Sequence, residues 1–302
     1  MVTLILFVLI FGVVVVSHEF GHFLLAKANG IHVIEFSVGM GPNLFSFQKG
    51  DTKYSLKLLP IGGACMFEGE DGLNEKEDGE DHSGSFLNAN VWARISTVLA
   101  GPVFNFILGF VIAFIMVNLI ATIRDPVATE IVDGGAAQEA GLQPGDRILS
   151  LNGSKIHLYE EIQLFTLTYR GGNVTVQYER DGVKGTTTLT PKYDESTGRY
   201  MIGISNADFV QLSGLDCFRY SWYEMRYCVT MTWKSLAMLV QGQVSRQDVA
   251  GPVGIAVNVV GKTYESTKDY GWQNVLVNML NITLMLTVNL GILNLLPIPA
   301  LD

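Results

Sequence analysis

The sequence predicts an α-helical polytopic membrane protein carrying a β-hairpin and an inserted, β-rich soluble domain, and three observations lead there. Of its 302 residues, 48% are hydrophobic and only 16% charged, with a mean hydropathy of +0.29, which is too apolar for an ordinary soluble domain. Three long runs are nearly free of charge, and between the second and third lies a stretch of turn residues and alternating segments. The net charge of −9 and pI near 5.0, with no cluster of Lys and Arg, exclude nucleic acid as a partner. Cys65, Cys217 and Cys228 form no CxxC pair and no disulfide framework, so they read as packing residues.

The elements follow in chain order. Residues 2–17 carry no charge, and if Glu19 is tolerated the apolar character continues to Ala26, long enough to cross a bilayer core of ~30 Å. With no basic leader and no small-residue cleavage site, residues 1–28 read as a retained helix rather than a signal peptide. Residues 31–63, "IHVIEFSVGMGPNLFSFQKGDTKYSLKLLPIGG", alternate and turn like a hairpin with Gly50-Asp51 at its tip. The acidic tract "EGEDGLNEKEDGED" lies in a predicted solvated loop over 64–93 and lacks EF-hand spacing. A second span covers 94–124, with Gly101 and Pro102 expected to bend or open its first turns.

The β-rich domain covers 125–208, where turns at Pro144-Gly145-Asp146 and Asn152-Gly153 flank "RILSL" and strands follow at "NVTVQYERDG" and "GTTTLTP". Residues 213–245 read as an amphipathic helix. At about 100° per residue, Asp216, Arg219, Arg226 and Lys234 share one sector, while Trp222, Met225, Val229, Trp233, Leu236 and Met238 fill much of the rest. Such a helix lies in the membrane interface, with a fourth crossing helix as the alternative. A connecting segment, 246–274, leads to a third span over 275–302, rich in Asn and closed by Pro297 and Pro299.

The chemistry concentrates in "SHEFGH" of the first span. On a helix His18 and His22 are one turn apart on the same face, so both imidazoles can converge on one ion while Glu19 holds a water beside it. Ionisable groups in the middle of an apolar helix are costly, which disfavours core histidines satisfied only by hydrogen bonds. A catalytic zinc usually takes three protein ligands. His32, His82 and His157 are poorly placed in a strand, an acidic loop and the β-rich domain. Asp302 is better placed, because Pro297 and Pro299 stop the helix before it and free a carboxylate at membrane depth. With the amino terminus outside, His18 lies about 25 Å along its helix, near the inner face, and the third span descends to the same depth. Lys27 and Arg94 flank the first loop and place it inside.

The stretch "AGLQPGDRILSLNG" resembles a PDZ domain of the bacterial protease type, which implies a groove that takes an extended peptide by strand addition. Together with "HEFGH", "AGPVFN", "AGPVGI" and "NLLPIPALD", nearly the whole chain resembles the site-2 proteases, intramembrane zinc metalloproteases, in the bacterial branch with one PDZ domain. The resemblance implies zinc held by His18, His22 and Asp302, with Glu19 as general base and Asn294, Pro297 and Pro299 at the substrate. It implies a re-entrant hairpin, one edge of which, 33–38 or 54–58, pairs with unwound substrate, with a cytoplasmic hairpin that only braces the fold as the alternative. The implied substrates are single-span membrane proteins or peptides cut within the membrane lipid, of the anti-sigma-factor or signal-peptide-remnant kind. The implied setting is the bacterial plasma membrane, with the PDZ-like domain extracytoplasmic. The family pattern continues past the aspartate with two glycines and a further helix, so a truncated form is expected. Two rival classes are a membrane-anchored PDZ adaptor without catalysis and a zinc peptidase acting on soluble substrates outside.

Overall fold

The longer helices of the structure, a computed structural model, are α1 (Val2–Ala28), α2 (Val91–Ile120), α3 (Tyr159–Thr168), α4 (Leu215–Val240) and α5 (Trp272–Asn294). Residues 1–70, 84–195, 198–243 and 251–296 are described. The chain divides into two units, Met1–Met116 with Met238–Asp302, and Val117–Ala237. Of these helices α1, α2 and α5 are long and apolar enough to cross a membrane.

In the first unit, Phe7 and Ile10 of α1 pack with Met279 and Ile282 of α5 and with Val260. Lipid tails are as apolar as these side chains, so small residues decide how closely the helices approach. A Cβ on Gly109 of α2 would meet Val288 of α5 at 3.2 Å, and one on Gly291 of α5 would meet the Pro102 carbonyl at 3.3 Å. Within the expected connecting segment 246–274, the described residues from 251 on form more regular structure than a connector. From Pro252 it runs helically through a π-helical stretch, Ile255–Gly261, to Tyr270, and buries Val260 against α1.

The second span starts and ends earlier than expected. Pro102 lies inside a continuous α2 rather than opening its first turns, as a buried proline can where neighbouring helices pack against it. The helix stops at Ile120, because Ala121 adopts φ +53° and Thr122 begins a strand. Trp272 likewise starts α5 before the expected 275, and Asn294 ends it before Pro297.

The hairpin consists of β1 (Val33–Lys49) and β2 (Thr52–Phe67), longer than the expected 31–63 because residues 64–67 continue the ladder. Both strands are bent double. Gly39 and Gly41 (φ +89° and +87°) fold β1, and Gly62 (φ +85°) folds β2, at backbone angles that other residues rarely adopt. Val38 therefore faces Gly63 on one side and Leu56 on the other, while Leu56 also faces Phe45. This corrects the expected edges. Segments 33–38 and 54–56 are each flanked on both sides, and the outer edges are 43–49 and 63–67.

The second unit reaches beyond the expected 125–208, since β3 (Thr122–Ile131) and β10 (Ile204–Gln211) are paired along their lengths and α4 up to Ala237 belongs to it. Its sheet runs β10-β3-β4-β6-β7, with β4 (Arg147–Leu151), β6 (Val174–Arg180) and β7 (Val183–Leu189), and β5 (Ser154–Lys155) on β4. β8 (Lys192–Asp194) and β9 (Arg199–Met201) form a separate pair. Ile148, Leu151, Ile162, Val174 and Val176 build the core, and α3, which the strand pattern had not predicted, closes it. Half of the charged sector of α4 is taken up within the unit, Arg226 pairing with Glu161 of α3 and Lys234 donating to Thr168 at 3.2 Å, while Asp216 and Arg219 pair with each other and stay exposed.

Asp146, buried at the turn before β4, accepts from Arg180 Nε and Nη2 at 2.6 and 2.7 Å and from the Gln143 N–H at 2.8 Å. Burial pushes its carboxyl up, but these donors outweigh burial and leave it below the usual carboxylate range. Its contribution to stability is therefore full above about pH 4 and lost as pH falls through the depressed value. Asp146→Asn should lower the unfolding temperature of the intact chain at neutral pH. In calorimetry the deficit should shrink on acidification below that point.

Candidate metal centre

One helical turn places His18 and His22 together in the second half of α1, with ring centroids 4.8 Å apart at 84° and their Nε2 atoms 3.2 Å apart. Both are buried, at 3% and 8% exposure, in the first unit. Two glycines make room for them. A Cβ on Gly21 would stand 2.5 Å from the Ala100 carbonyl oxygen, so α1 and α2 touch through backbone there. A Cβ on Gly101 of α2 would lie 2.3 Å from His22 Nε2 and 2.7 Å from His18 Cε1, so the bare glycine forms the floor under both rings.

The hydrogen bonds behind the rings set what each can offer. His22 Nδ1 lies 2.9 Å from the Thr97 carbonyl oxygen, which can only accept, so the proton is on Nδ1 and Nε2 carries a lone pair. His18 is bracketed by two side-chain amides, Asn105 at 3.1 Å from Nδ1 and Asn294 at 2.9 Å from Nε2. A neutral imidazole has one N–H and one lone pair, so one amide turns its oxygen to the ring and the other its nitrogen.

The two Nε2 atoms stand 3.2 Å apart inside apolar helices, and with the His18 proton on Nδ1 both offer a lone pair to one cation. Nitrogens at the usual 2.0–2.1 Å from a tetrahedral zinc stand about 3.3 Å apart, so the donor pair fits that metal. The carbonyl and amide behind the rings are the partners that orient zinc-binding imidazoles.

Glu19 lies against the bent sheet: a Cβ on Gly63 would stand 2.9 Å from Glu19 Cγ, so the outer edge 63–67 passes the acid. Asn294 reaches the histidines, while Pro297, Pro299 and Asp302 lie outside the described residues, as does His82. His32 is occupied by Glu68 at 2.8 Å, and His157 in the second unit stacks on Tyr223 with centroids 4.0 Å apart. Among the described residues no group of three His, Cys, Asp or Glu gathers to hold a metal. Sequence reasoning missed Thr97, Gly101 and Asn105 as parts of the site. Their spacing of four puts them on one face of α2, and a polar Asn105 on an apolar span was a signal in its own right.

A model of peptidase family M50 matches residues 6–302. The chain belongs to that family. It is 34% identical over 295 residues to a protein of Clostridium acetobutylicum, covering 98% of this chain and 82% of the other. An alignment of 381 positions gives 33% identity to zinc metalloprotease RasP of Bacillus licheniformis, covering 99% of this chain and 88% of that protein. Zinc metalloprotease RasP of Geobacillus kaustophilus is 30% identical over 375 positions, covering 99% and 87%. As a member of this family the chain is a zinc metalloprotease, and zinc is its cofactor.

Gly101→Ala should expel the metal, because its methyl group would occupy the space under the Nε2 atoms, whereas Gly12→Ala, with nothing within 4 Å of the new Cβ, should retain it. Asn105→Leu should weaken zinc binding about 10- to 100-fold. Elemental analysis and zinc titration of helical, purified variants check both.

Proposed function

We propose that the protein cuts peptide bonds within the transmembrane segments of single-span membrane proteins or peptides, with His18, His22 and Asp302 as zinc ligands and Glu19 as general base. The observation that carries this reading is the pair of His18 and His22 Nε2 atoms, 3.2 Å apart and buried among helices apolar enough to span a membrane. Asp302 follows Asn294 by eight residues (302 − 294), a length that lets its carboxylate return to the histidines. When bound, zinc supplies Lewis acidity toward the scissile carbonyl and acidifies water. Glu19 takes the proton of the attacking water and returns it to the leaving amine. Thr97 and Asn105 keep the imidazoles oriented, and the Asn294 amide is a donor for a substrate carbonyl.

A transmembrane helix hides its carbonyls and must be opened before attack. The re-entrant reading of the β1–β2 sheet supplies a template, with edge 63–67 beside Glu19 taking the unwound substrate as an added strand. For the second unit, a PDZ-like reading is supported by β10 at the end of the sheet with α3 beside it, where the Tyr159 hydroxyl donates to the Ile204 carbonyl at 3.2 Å. An extended peptide would add to β10, so this unit selects substrates. The proposed setting is the bacterial plasma membrane with this unit extracytoplasmic.

Glu19→Gln should abolish cleavage of a co-expressed single-span substrate while zinc content stays unchanged; loss of zinc with activity would make Glu19 a ligand and sink its assigned role. A proline scan of residues 64–66 probes the template, leaving out Gly63, where any side chain meets Glu19, and the buried Phe67. Proline should stop cleavage at alternate positions, where the N–H faces away from β1, with zinc and thermal stability kept and alanine harmless. Tolerance of proline throughout would leave the sheet as a brace.

A further inference from the structure

The unit Val117–Ala237 holds a cleft of about 440 Å³, walled by the ends of β4, β5, β6 and β7 and by α4, that plays no part in peptide hydrolysis or strand addition. Arg147, Lys155, His157, Lys184 and Arg219 line it, and no Asp or Glu does, in a chain with 29 acidic residues against 20 basic ones. Asp125 and Asp216 hold the guanidinium groups of Arg147 and Arg219 from outside the lining. The ammonium groups of Lys155 and Lys184 pair with no carboxylate among the described residues. Burial first, and then the cations of Arg226, Lys155 and Arg219, hold the His157 imidazole below its usual range, as a site of positive potential requires.

A second observation says what the cations face. Along α4, Phe218, Trp222 and Trp233 form a stripe that is 57%, 54% and 50% exposed, and Trp222 stands one turn from Arg219 at the rim of the cleft. Aromatic residues beside a basic pocket match the chemistry of a bilayer surface, where indole rings settle at headgroup depth and Lys and Arg engage phosphate. An acidic peptide would satisfy the cations but leave the stripe uncovered. We propose that this cleft binds the phosphate-bearing headgroup of an anionic phospholipid, with the α4 stripe seated in the adjoining interface.

The test is calorimetric titration of the full chain in neutral micelles with short-chain phosphatidylglycerol, the matched phosphatidylcholine, inorganic phosphate and a short Asp/Glu peptide. Phosphatidylglycerol should bind one saturable site, more weakly as salt rises, and phosphatidylcholine should not bind it. The double variant Lys155→Ala/Lys184→Ala should weaken binding roughly 30-fold, with zinc content and unfolding temperature unchanged. Equal binding of the two lipids, or a double variant that binds as the parent does, would overturn the proposal. Inorganic phosphate binding as tightly as phosphatidylglycerol would make it a free-anion site and overturn it too. The same holds for a peptide that binds more tightly than the lipid and resists displacement by it.

Discussion

The structure turns on two imidazole nitrogens held 3.2 Å apart inside apolar helices. For both to offer a lone pair to one cation, each ring must carry its proton on Nδ1 and needs an acceptor behind it. The site therefore sets two conditions, room for the cation and acceptors behind the rings. Both conditions restrict α2 more than α1. The two histidines follow from one helical turn, but the floor beneath them must be Gly101, and the acceptors must come from Thr97 and Asn105 at fixed spacing along the same face.

Asn105 links this demand to the third apolar helix. Its side chain serves His18, its carbonyl accepts from Thr287 Oγ1 of α5 at 3.1 Å, and its Cβ lies where Gly291 leaves space, 3.4 Å from a hypothetical methyl. Those contacts set the register of α5 on α2, and that register brings Asn294 to His18 Nε2. Without a hydrophobic force between helices in lipid, such hydrogen bonds and small-residue contacts are what is left to fix a register. A change at one point of this set is felt at the metal site even where it touches neither ring.

What was legible in the sequence was local. The apolar runs, the turn at Gly50-Asp51, "RILSL" and the HEFGH spacing each follow from a short-range period, and the structure has a helix, a turn or a strand at each. What was not legible needed a partner distant in the chain. Gly39, Gly41 and Gly62 lie within a run that alternates like a plain hairpin, yet their positive φ values fold both strands back and make 33–38 and 54–56 of the expected edges interior. "AGPVFN" read as a helix breaker because proline dominates local reasoning, whereas its Gly101 and Asn105 were answering to His18 and His22 some eighty residues earlier. Residues 159–168 were passed over because a short amphipathic helix among strands carries little period of its own.

The bareness of Gly62-Gly63-Ala64 joins the sheet to the chemistry. Any side chain at position 63 would meet Glu19 Cγ at 2.9 Å and the Ser37 carbonyl at 3.0 Å, so only glycine lets this edge run against the acid. A strand repeats every two residues, at about 3.3 Å each, so a chain paired to such an edge has its carbonyls at fixed intervals. Pairing there would convert the search for a scissile bond into a choice among registers two residues apart. It would also hold that bond still while Glu19 moves a proton, which is where most of the gain from orientation lies. The same backbone groups that a transmembrane helix would leave unsatisfied on unwinding would be taken up by the edge, so opening the helix and positioning the bond become one event.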